Sequence, residues 1–500
     1  MPLTFLHLSD LHFRAGLSDT AFDLDREQRA ALCEDLPGVL GRLLDGRELD
    51  GILLSGDIAF AGTASEYEIA TAWLETLCET AGCAPERVWM VPGNHDVDRR
   101  ALGGSVLLRM LQRELRTARG SNLDGVIKQI LTDAESQRIV YLPLADYNAF
   151  AARYQCEVNA TQPFWQQRFV LDDGSPLIIR GVNSVLVSDG SDDTGANKLV
   201  LGSAAALFND ADATYLFMCH HPPHWLVDEQ ELGDRLDRFA KVQLFGHDHR
   251  QRLRRFGNAV RVHAGALQPD RQEGQWRPQY NVLMLDTTSS GASRTLRVQV
   301  HPRSWSDQYR RFTAELTPSA DNAYTEVLAL DPRRVVYVPR ADVVAHAVDT
   351  IGAVGATGAA GAVAHGADGA AGVQHPAPTD GGDRLPPMRR PDLDHASTSA
   401  ATEQAFDAAP ASAQTRVAAE GAVDAMRRLT YRFMGLPHVR RLLIAQALEL
   451  TRDEDEGVRD DVLWRRMVDR ARTANQLDRL WDAVEAQRGA QDPDLANPFR

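Results

Sequence analysis

The sequence predicts an α/β fold, two β-sheets packed face to face with helices outside, followed by a linker and a small all-α bundle. Three observations lead there. Short apolar runs recur, each ending in Asp, Asn or His. Stretches with helical spacing separate the first of these runs, which implies neighbouring parallel strands joined by right-handed crossovers. Composition then turns to Ala, Gly and Pro from Ile351 and back to apolar stripes near Val417.

The first run spans Phe5 to Phe13, with Leu6 and Leu8 on one face, so Asp10 and His12 fall where a buried strand gives way to a loop. From Phe22 to Leu44, Leu32, Leu36, Leu40 and Leu43 mark a returning helix. Ile52, Leu53 and Leu54 form the next strand and end in Ser55, Gly56 and Asp57. A helix over Glu66–Thr80, carried by Ile69, Trp73 and Leu77, leads to Val88–Val91 and then Pro92, Gly93, Asn94, His95 and Asp96.

The stretch from Leu102 to Ala213 is long for one crossover. Val106–Leu115, Val126–Leu131 and Tyr147–Tyr154 read as helices. Phe169–Leu171, Leu177–Arg180 and Val185–Val187 read as strands, with Asp172, Asp173 and Gly174 a turn. Two more strand exits follow: Leu216–Met218 ends in Cys219, His220, His221 and Pro222, and Val242–Phe245 ends in Gly246, His247, Asp248 and His249. Five exits that deliver Asp, Asn or His, with glycines that let backbones crowd together, point to one metal site. Ala259–Val262, Asn281–Leu285 and Leu296–Val300 are strands expected to complete the second sheet.

Ile351–Ala413 has few large apolar residues and reads as a flexible linker. Beyond it, Val423–Phe433, the stripe of Val439, Leu442, Leu443, Ala447 and Leu450, the stripe of Leu463, Trp464, Met467, Val468 and Ala471, and the stripe of Leu477, Leu480, Trp481 and Val484 make four helices. Some sixty linker residues span a root-mean-square distance of ~40 Å, so the bundle is expected to be tethered rather than rigidly docked. The expected domains are 1–315, with 102–213 as an insertion over the site, an unassigned extension 316–350, the linker 351–415 and the bundle 416–490.

Composition narrows the function. The formal charge of -15 argues against a generic polyanion binder. No apolar run approaches the ~20 residues of a membrane span. The start, Met1 to Phe5, lacks a basic leader and enters the first strand directly, so a cytoplasmic location is expected. Cys33, Cys78, Cys83, Cys156 and Cys219 are few, scattered and odd in number, and read as buried thiols. Arg14, Arg99 and Arg250, with Arg100, Arg252, Arg254 and Arg255, follow the strand exits; they form either a solvated face or a basic rim that draws phosphates in.

Five blocks stand in a fixed order: Leu8-Ser9-Asp10-Leu11-His12, Gly56-Asp57, Gly93-Asn94-His95-Asp96, His220-His221-Pro222 and Gly246-His247-Asp248-His249. Through them the first 315 residues or so resemble the calcineurin-like metallophosphoesterases, most closely the branch with bacterial cyclic-nucleotide phosphodiesterases. The resemblance implies two divalent ions, manganese first among manganese, iron, zinc and cobalt. Asp10, His12, Asp57 and His249 would hold one; Asn94, His220 and His247 the other, with Asp57 bridging. His221 is the substitute for His220. His95 would act on the substrate as acid or charge stabiliser, oriented by Asp96; Asp248 is assigned no chemistry, and His7, His224 and His263 are outside the ligand set. The substrate would be a phosphodiester of nucleotides or nucleic acid, with nuclease, phosphomonoesterase or protein phosphatase, and non-catalytic scaffold as the alternatives.

The tail, through Arg432-Phe433, Leu436-Pro437, Val439-Arg440, Leu463-Trp464-Arg465-Arg466 and Leu480-Trp481, resembles the effector-associated, death-fold-like domains of bacterial conflict proteins. The partner this implies is a helical adaptor domain on a sensor or regulator, met by Arg440, Arg441, Arg465, Arg466 and Asp453–Glu456, in a defence pathway. No membrane is implied.

Overall fold

The computed structural model describes residues 1–16, 23, 25–269, 277–290, 293–315, 317, 322–331, 413–455, 458, 460–488 and 496–500. Residues 1–334 and 417–500 form one compact body. The linker expected over 351–415 lies outside the described residues except where the last helix group begins.

Two sheets make the core. In the first, β1 (Leu3–Leu8) lies parallel to β2 (Gly51–Leu54), which lies parallel to β3 (Val88–Met90) at the sheet's edge. On its other side β1 pairs antiparallel with β10 (Gln279–Ser290), and β10 with the long β11 (Ser293–Ser306). The two ends of β11 carry β13 (Tyr324–Leu330) and β12 (Arg311–Ala314). The second sheet runs β4 (Phe164–Val170), β5 (Pro176–Val182), β6 (Thr214–Cys219), β7 (Ala240–Phe245), β9 (Ala259–His263) and β8 (Arg252–Phe256), parallel from β5 to β9. Phe169 on β4 meets Phe5 on β1 edge-on at 5.1 Å and Trp89 on β3 at 5.3 Å, which locks the sheets face to face.

The crossovers fall where the apolar spacing puts them. α1 covers Arg26–Leu44 and α2 Ala64–Ala81. Glu66 turns back to the Thr63 N–H (3.1 Å) to close the first turn of α2. α3 (Arg99–Gly104), α4 (Val106–Thr117), α5 (Gly120–Thr132), α6 (Ala134–Val140) and α7 (Ala145–Ala151) follow β3, and α8 (Glu229–Phe239) joins β6 to β7.

Four expectations are corrected. Only Ala259–His263 of the three late strands joins the second sheet; β10 and β11 extend the first, because β1 would otherwise be an open edge. Val185–Val187 is a buried turn rather than a strand. The segment 102–213 is not one insertion: its helices pack on one another and through α7 on α2, while β4 and β5 belong to the core sheet. Part of the unassigned extension is β13.

The tail forms α9 (Ala413–Met434), α10 (His438–Ala447), α11 (Asp460–Thr473) and α12 (Leu477–Arg488), around a core that includes Leu429, Phe433, Trp464, Leu480 and Trp481. It is docked on the two-sheet body rather than free on a tether. Tyr431 belongs to the main core, Arg87 pairs with Asp424 at 3.0 Å, and Arg465 pairs at 3.1 Å with the buried Glu157. Composition set the expectation of a free tether; the docking contacts join residues more than three hundred positions apart.

Candidate metal centre

Because β1, β2, β3, β6 and β7 all end at the same edge of the sandwich, their exits converge. Backbone bonds from Asp10 N to Gly56 O (3.0 Å) and from Leu11 N to Asp57 O (2.8 Å) tie the first two loops together. Gly93 is required by close approach: a Cβ there would lie 2.1 Å from Asp57 Oδ1. At Gly246 a Cβ would meet Ser9 Oγ at 2.2 Å and the Ser55 carbonyl at 2.8 Å.

The side chains gathered there are acidic oxygens and imidazole nitrogens. Asp57 Oδ2 lies 3.3 Å from His12 Nε2 and 3.2 Å from His220 Nε2. Asp10 Oδ1 is 3.1 Å from His249 Nε2. Among the described residues four groups have ligand atoms within 4.8 Å of one another: Asp10, His12 and His249; Asp10, Asp57 and His220; His12, Asp57 and His95; and His220, His221 and His247. Asp10 Oδ1 and His220 Nε2 are buried, and the polar atoms they face, His249 Nε2 and Asp57 Oδ2, belong to the same cluster. Buried carboxylate oxygens and imidazole nitrogens crowded this closely fit a divalent cation with mixed oxygen and nitrogen ligands.

Five of these residues have a left-handed backbone: Asp10 (φ 55°), His12 (47°), Asp57 (54°), His247 (68°) and His249 (53°). Non-glycine residues seldom adopt it, and it concentrates where function over-determines the chain. Outer groups fix the rings. His220 Nδ1 is 2.7 Å from the Ser55 carbonyl and His12 Nδ1 is 3.2 Å from that of Gln268. The Trp225 ring meets His247 edge-on at 4.2 Å. Gln268 and Trp225 lie outside the strand-exit blocks, so sequence reasoning missed them, and it read Ser55 as part of an exit without giving its carbonyl a role.

Asn94 and His221 are paired, Asn94 Oδ1 at 3.1 Å from His221 Nε2, with Ser184 Oγ 2.9 Å from His221 Nδ1. His95 Nδ1 is bonded to the Phe60 carbonyl (2.7 Å), and its ring lies 4.7 Å from that of His12. Asp96, assigned above to orient His95, instead accepts from Gly93 N (2.9 Å), Ala59 N (2.9 Å) and Tyr67 OH (2.9 Å), so it fastens the loop. Asp248 faces His263 (3.1 Å), and His7 Nε2 supports Ser55 Oγ at 3.0 Å.

Electrostatics follow the packing. Burial pushes Asp57 up, but His220 and His12 outweigh it and hold the carboxyl well below its usual range. Burial likewise pulls His220 down, and Asp57 overrides it to about 9. Burial, with His220 beside it, takes His247 down to about 4, the neutral form a ligand needs. Burial also lowers His95 and lifts Asp96 to about 6. Cys219 is buried, its thiol pushed up to about 12, and is inert.

The arginines separate. Arg14 lies over the Phe60 ring at 3.6 Å, beside His95, and Arg99 is exposed with its guanidinium near Gly190. Arg250 is exposed directly after His249. Beyond it β8 runs away from the strand exits, since Arg252 opposes His263 while Arg254 and Arg255 oppose Arg261 and Val260. A groove of about 460 Å³ follows Pro223 and His224 and is lined by Glu229, Asp234, Asp237 and Arg261.

Residues 3–251 match the calcineurin-like phosphoesterase family and residues 425–486 the GTPase-associated adaptor domain. An uncharacterised metallophosphoesterase-like protein of Bacillus subtilis is 34% identical over 99 residues, 20% of this chain and 18% of that protein's length. Among solved structures, an uncharacterised Streptococcus pneumoniae protein described as a phosphoesterase aligns over 66% of this chain and 99% of its own, at 10% identity and a TM-score of 0.25. The NAD nucleotidase of Haemophilus influenzae aligns over 66% and 50%, at 10% identity and a TM-score of 0.26. Residues 3–251 are thus a calcineurin-like phosphoesterase domain, and the tail is an adaptor domain. No described helix is long and apolar enough to cross a membrane.

Proposed function

We propose that this calcineurin-like phosphoesterase domain is a dinuclear-metal phosphodiesterase acting on nucleotide phosphodiesters. The observation that carries the reading is Asp57, one oxygen of which lies 3.3 Å from His12 and 3.2 Å from His220, and which stands in one ligand group with His12 and His95 and in another with Asp10 and His220. Asp10, His12 and His249 would hold one ion with Asp57; His220, His247 and Asn94 would hold the other. Divalent ions bound there would neutralise the phosphoryl oxygens and supply a nucleophile from water at neutral pH, with manganese the expected choice.

The chain's own residues do the rest. His95, its Nδ1 held by the Phe60 carbonyl, would turn Nε2 to the substrate and, in its cationic form, give the Nε2 proton to the leaving oxygen or stabilise charge on the phosphoryl group. Asp96 keeps the Gly93 and Ala59 backbones in register so that His95 N can donate to Asp57 Oδ1 at 2.8 Å. Arg14, Arg99 and Arg250 are the arginines that would receive the distal phosphate or the rest of the nucleotide.

A small diester is favoured over a nucleic-acid strand. β8 carries Arg254 and Arg255 away from the strand exits, and a strand would need cations along its path. The adaptor domain would recruit the enzyme to a partner bearing a similar helical domain, in a cytoplasmic defence pathway. Metal content, together with rates on cyclic nucleotides, linear diesters, monoesters, phosphopeptides, and single- and double-stranded DNA, tests the reading. Cleavage of cyclic or dinucleotide diesters with two ions bound is the expected result. Cleavage of DNA alone, or of monoesters or phosphopeptides alone, selects the corresponding alternative; no metal and no turnover leaves a scaffold.

A further inference from the structure

Strand β3 carries the Asn94–His95 loop, yet it is short and lies at the edge of its sheet, paired among the described strands with β2 alone. Its open side is closed by side chains. Met90 O accepts from Trp165 Nε1 at 2.7 Å, and Met90 N approaches Cys156 Sγ at 3.5 Å. The base of the strand is closed from the adaptor domain. Arg427 of α9, 5% exposed, donates to Glu86 O (2.8 Å), Tyr154 O (2.9 Å) and Val88 O (3.4 Å), and its guanidinium lies 4.6 Å from the Trp89 ring.

A buried guanidinium satisfied by backbone carbonyls is costly to bury and hard to replace, since no other side chain offers its planar fork. The helix that presents it is fixed on two sides. Leu429 and Phe433 enter the bundle core, while Asp424 pairs with Arg87 and Tyr431 OH bonds Glu75 at 3.2 Å. From β3 the path to the reacting groups is one turn of chain. Gly93 crowds Asp57, and His95 N donates to Asp57 Oδ1 at 2.8 Å, so a shift of β3 moves both His95 and the shared carboxylate.

We propose that Arg427 is a positioning residue for the phosphoesterase. Seated on β3, it holds the Asn94–His95 loop against Asp57, and the adaptor domain is thereby a working part of the catalytic body. This rests on the reading that Asp57 and His95 serve the hydrolysis.

The experiment uses the full chain loaded with manganese, with bis(p-nitrophenyl) phosphate as the probe. Arg427→Met should lower kcat about tenfold while KM stays within about twofold and metal content is unchanged, the pattern of a reacting group moved by a fraction of an ångström. Amide exchange should quicken chiefly over residues 88–96. Arg427→Lys should recover part of the loss, and Arg428→Ala, on the same helix but directed at the Glu86 side chain, should leave kcat unchanged. An unchanged kcat in Arg427→Met overturns the proposal, as does a loss accompanied by metal release or by faster exchange throughout the fold. If that variant does not fold, Asp424→Asn combined with Tyr431→Phe loosens α9 from the same side. Faster exchange over 88–96 with a lower kcat then supports the proposal, and any outcome with kcat unchanged overturns it. An inactive or metal-free wild-type chain would instead count against the phosphodiesterase reading.

Discussion

The metal centre and the adaptor dock are both places where distant segments meet, but they are encoded differently. At the centre each contribution is a block of a few residues at a strand exit, with its donors and its glycine adjacent in sequence. At the dock the contributions are single residues, Arg427, Tyr431 and Arg465, embedded in helices whose pattern is otherwise that of an ordinary bundle. Chemistry that must converge on one point leaves a local signature. A buried interface between two already folded parts needs only one or two anchors, and those look like surface residues until the partner surface is known.

The comparison can be broken most severely at Asp57. Asp57→Asn should fold, bind little metal and hydrolyse at close to the rate without enzyme, as measured by metal analysis and turnover; near wild-type rates would mean that the shared carboxylate does not join two ions. His95→Ala should keep its metal and lose on the order of 10² to 10⁴ in kcat. A parallel fall in metal content would make His95 a ligand. Deleting residues 413–500 exposes Trp89 and Tyr154 and strips the carbonyls of Glu86, Val88 and Tyr154 of their donor. It should lower the melting temperature by several degrees and kcat about tenfold. A truncated chain as stable and as fast as the full one would return the bundle to the status of a tethered passenger. The smallest effect is expected at the rim: Arg250→Ala should raise KM for a nucleotide diester about two- to threefold, in a salt-sensitive manner, while Arg254→Ala changes nothing.

Read from sequence, the strand exits and the crossover helices were legible because each depends on spacing within a dozen residues, whereas the sorting of Asp10, His12, Asp57, His220, His247 and His249 into one ligand set came from the resemblance of the five blocks to a known family. The placement of β10 and β11 beside β1 was not, since antiparallel pairing across the molecule leaves the same alternating pattern whichever sheet a strand joins. Asp96 shows the same limit at smaller scale. Its position next to His95 suggested a partner for the ring, whereas its carboxylate reaches the backbones of Gly93 and Ala59 and the hydroxyl of Tyr67. The surfaces assigned to a partner are also partly spent internally: Arg465 on Glu157, Arg466 toward Asp455, and Arg440 on the Gln487 carbonyl. Glu456 lies outside the described residues.

The left-handed backbone at Asp10, His12, Asp57, His247 and His249 has a consequence for anyone who would engineer this protein. A conformation of that kind costs on the order of 1–3 kcal/mol at a non-glycine residue. A search for thermostabilising substitutions scored on the empty fold would therefore nominate glycine at these five positions and, one by one, erase the ligands. Hardening this scaffold means holding those positions fixed and looking for stability in the sheets and helices behind them.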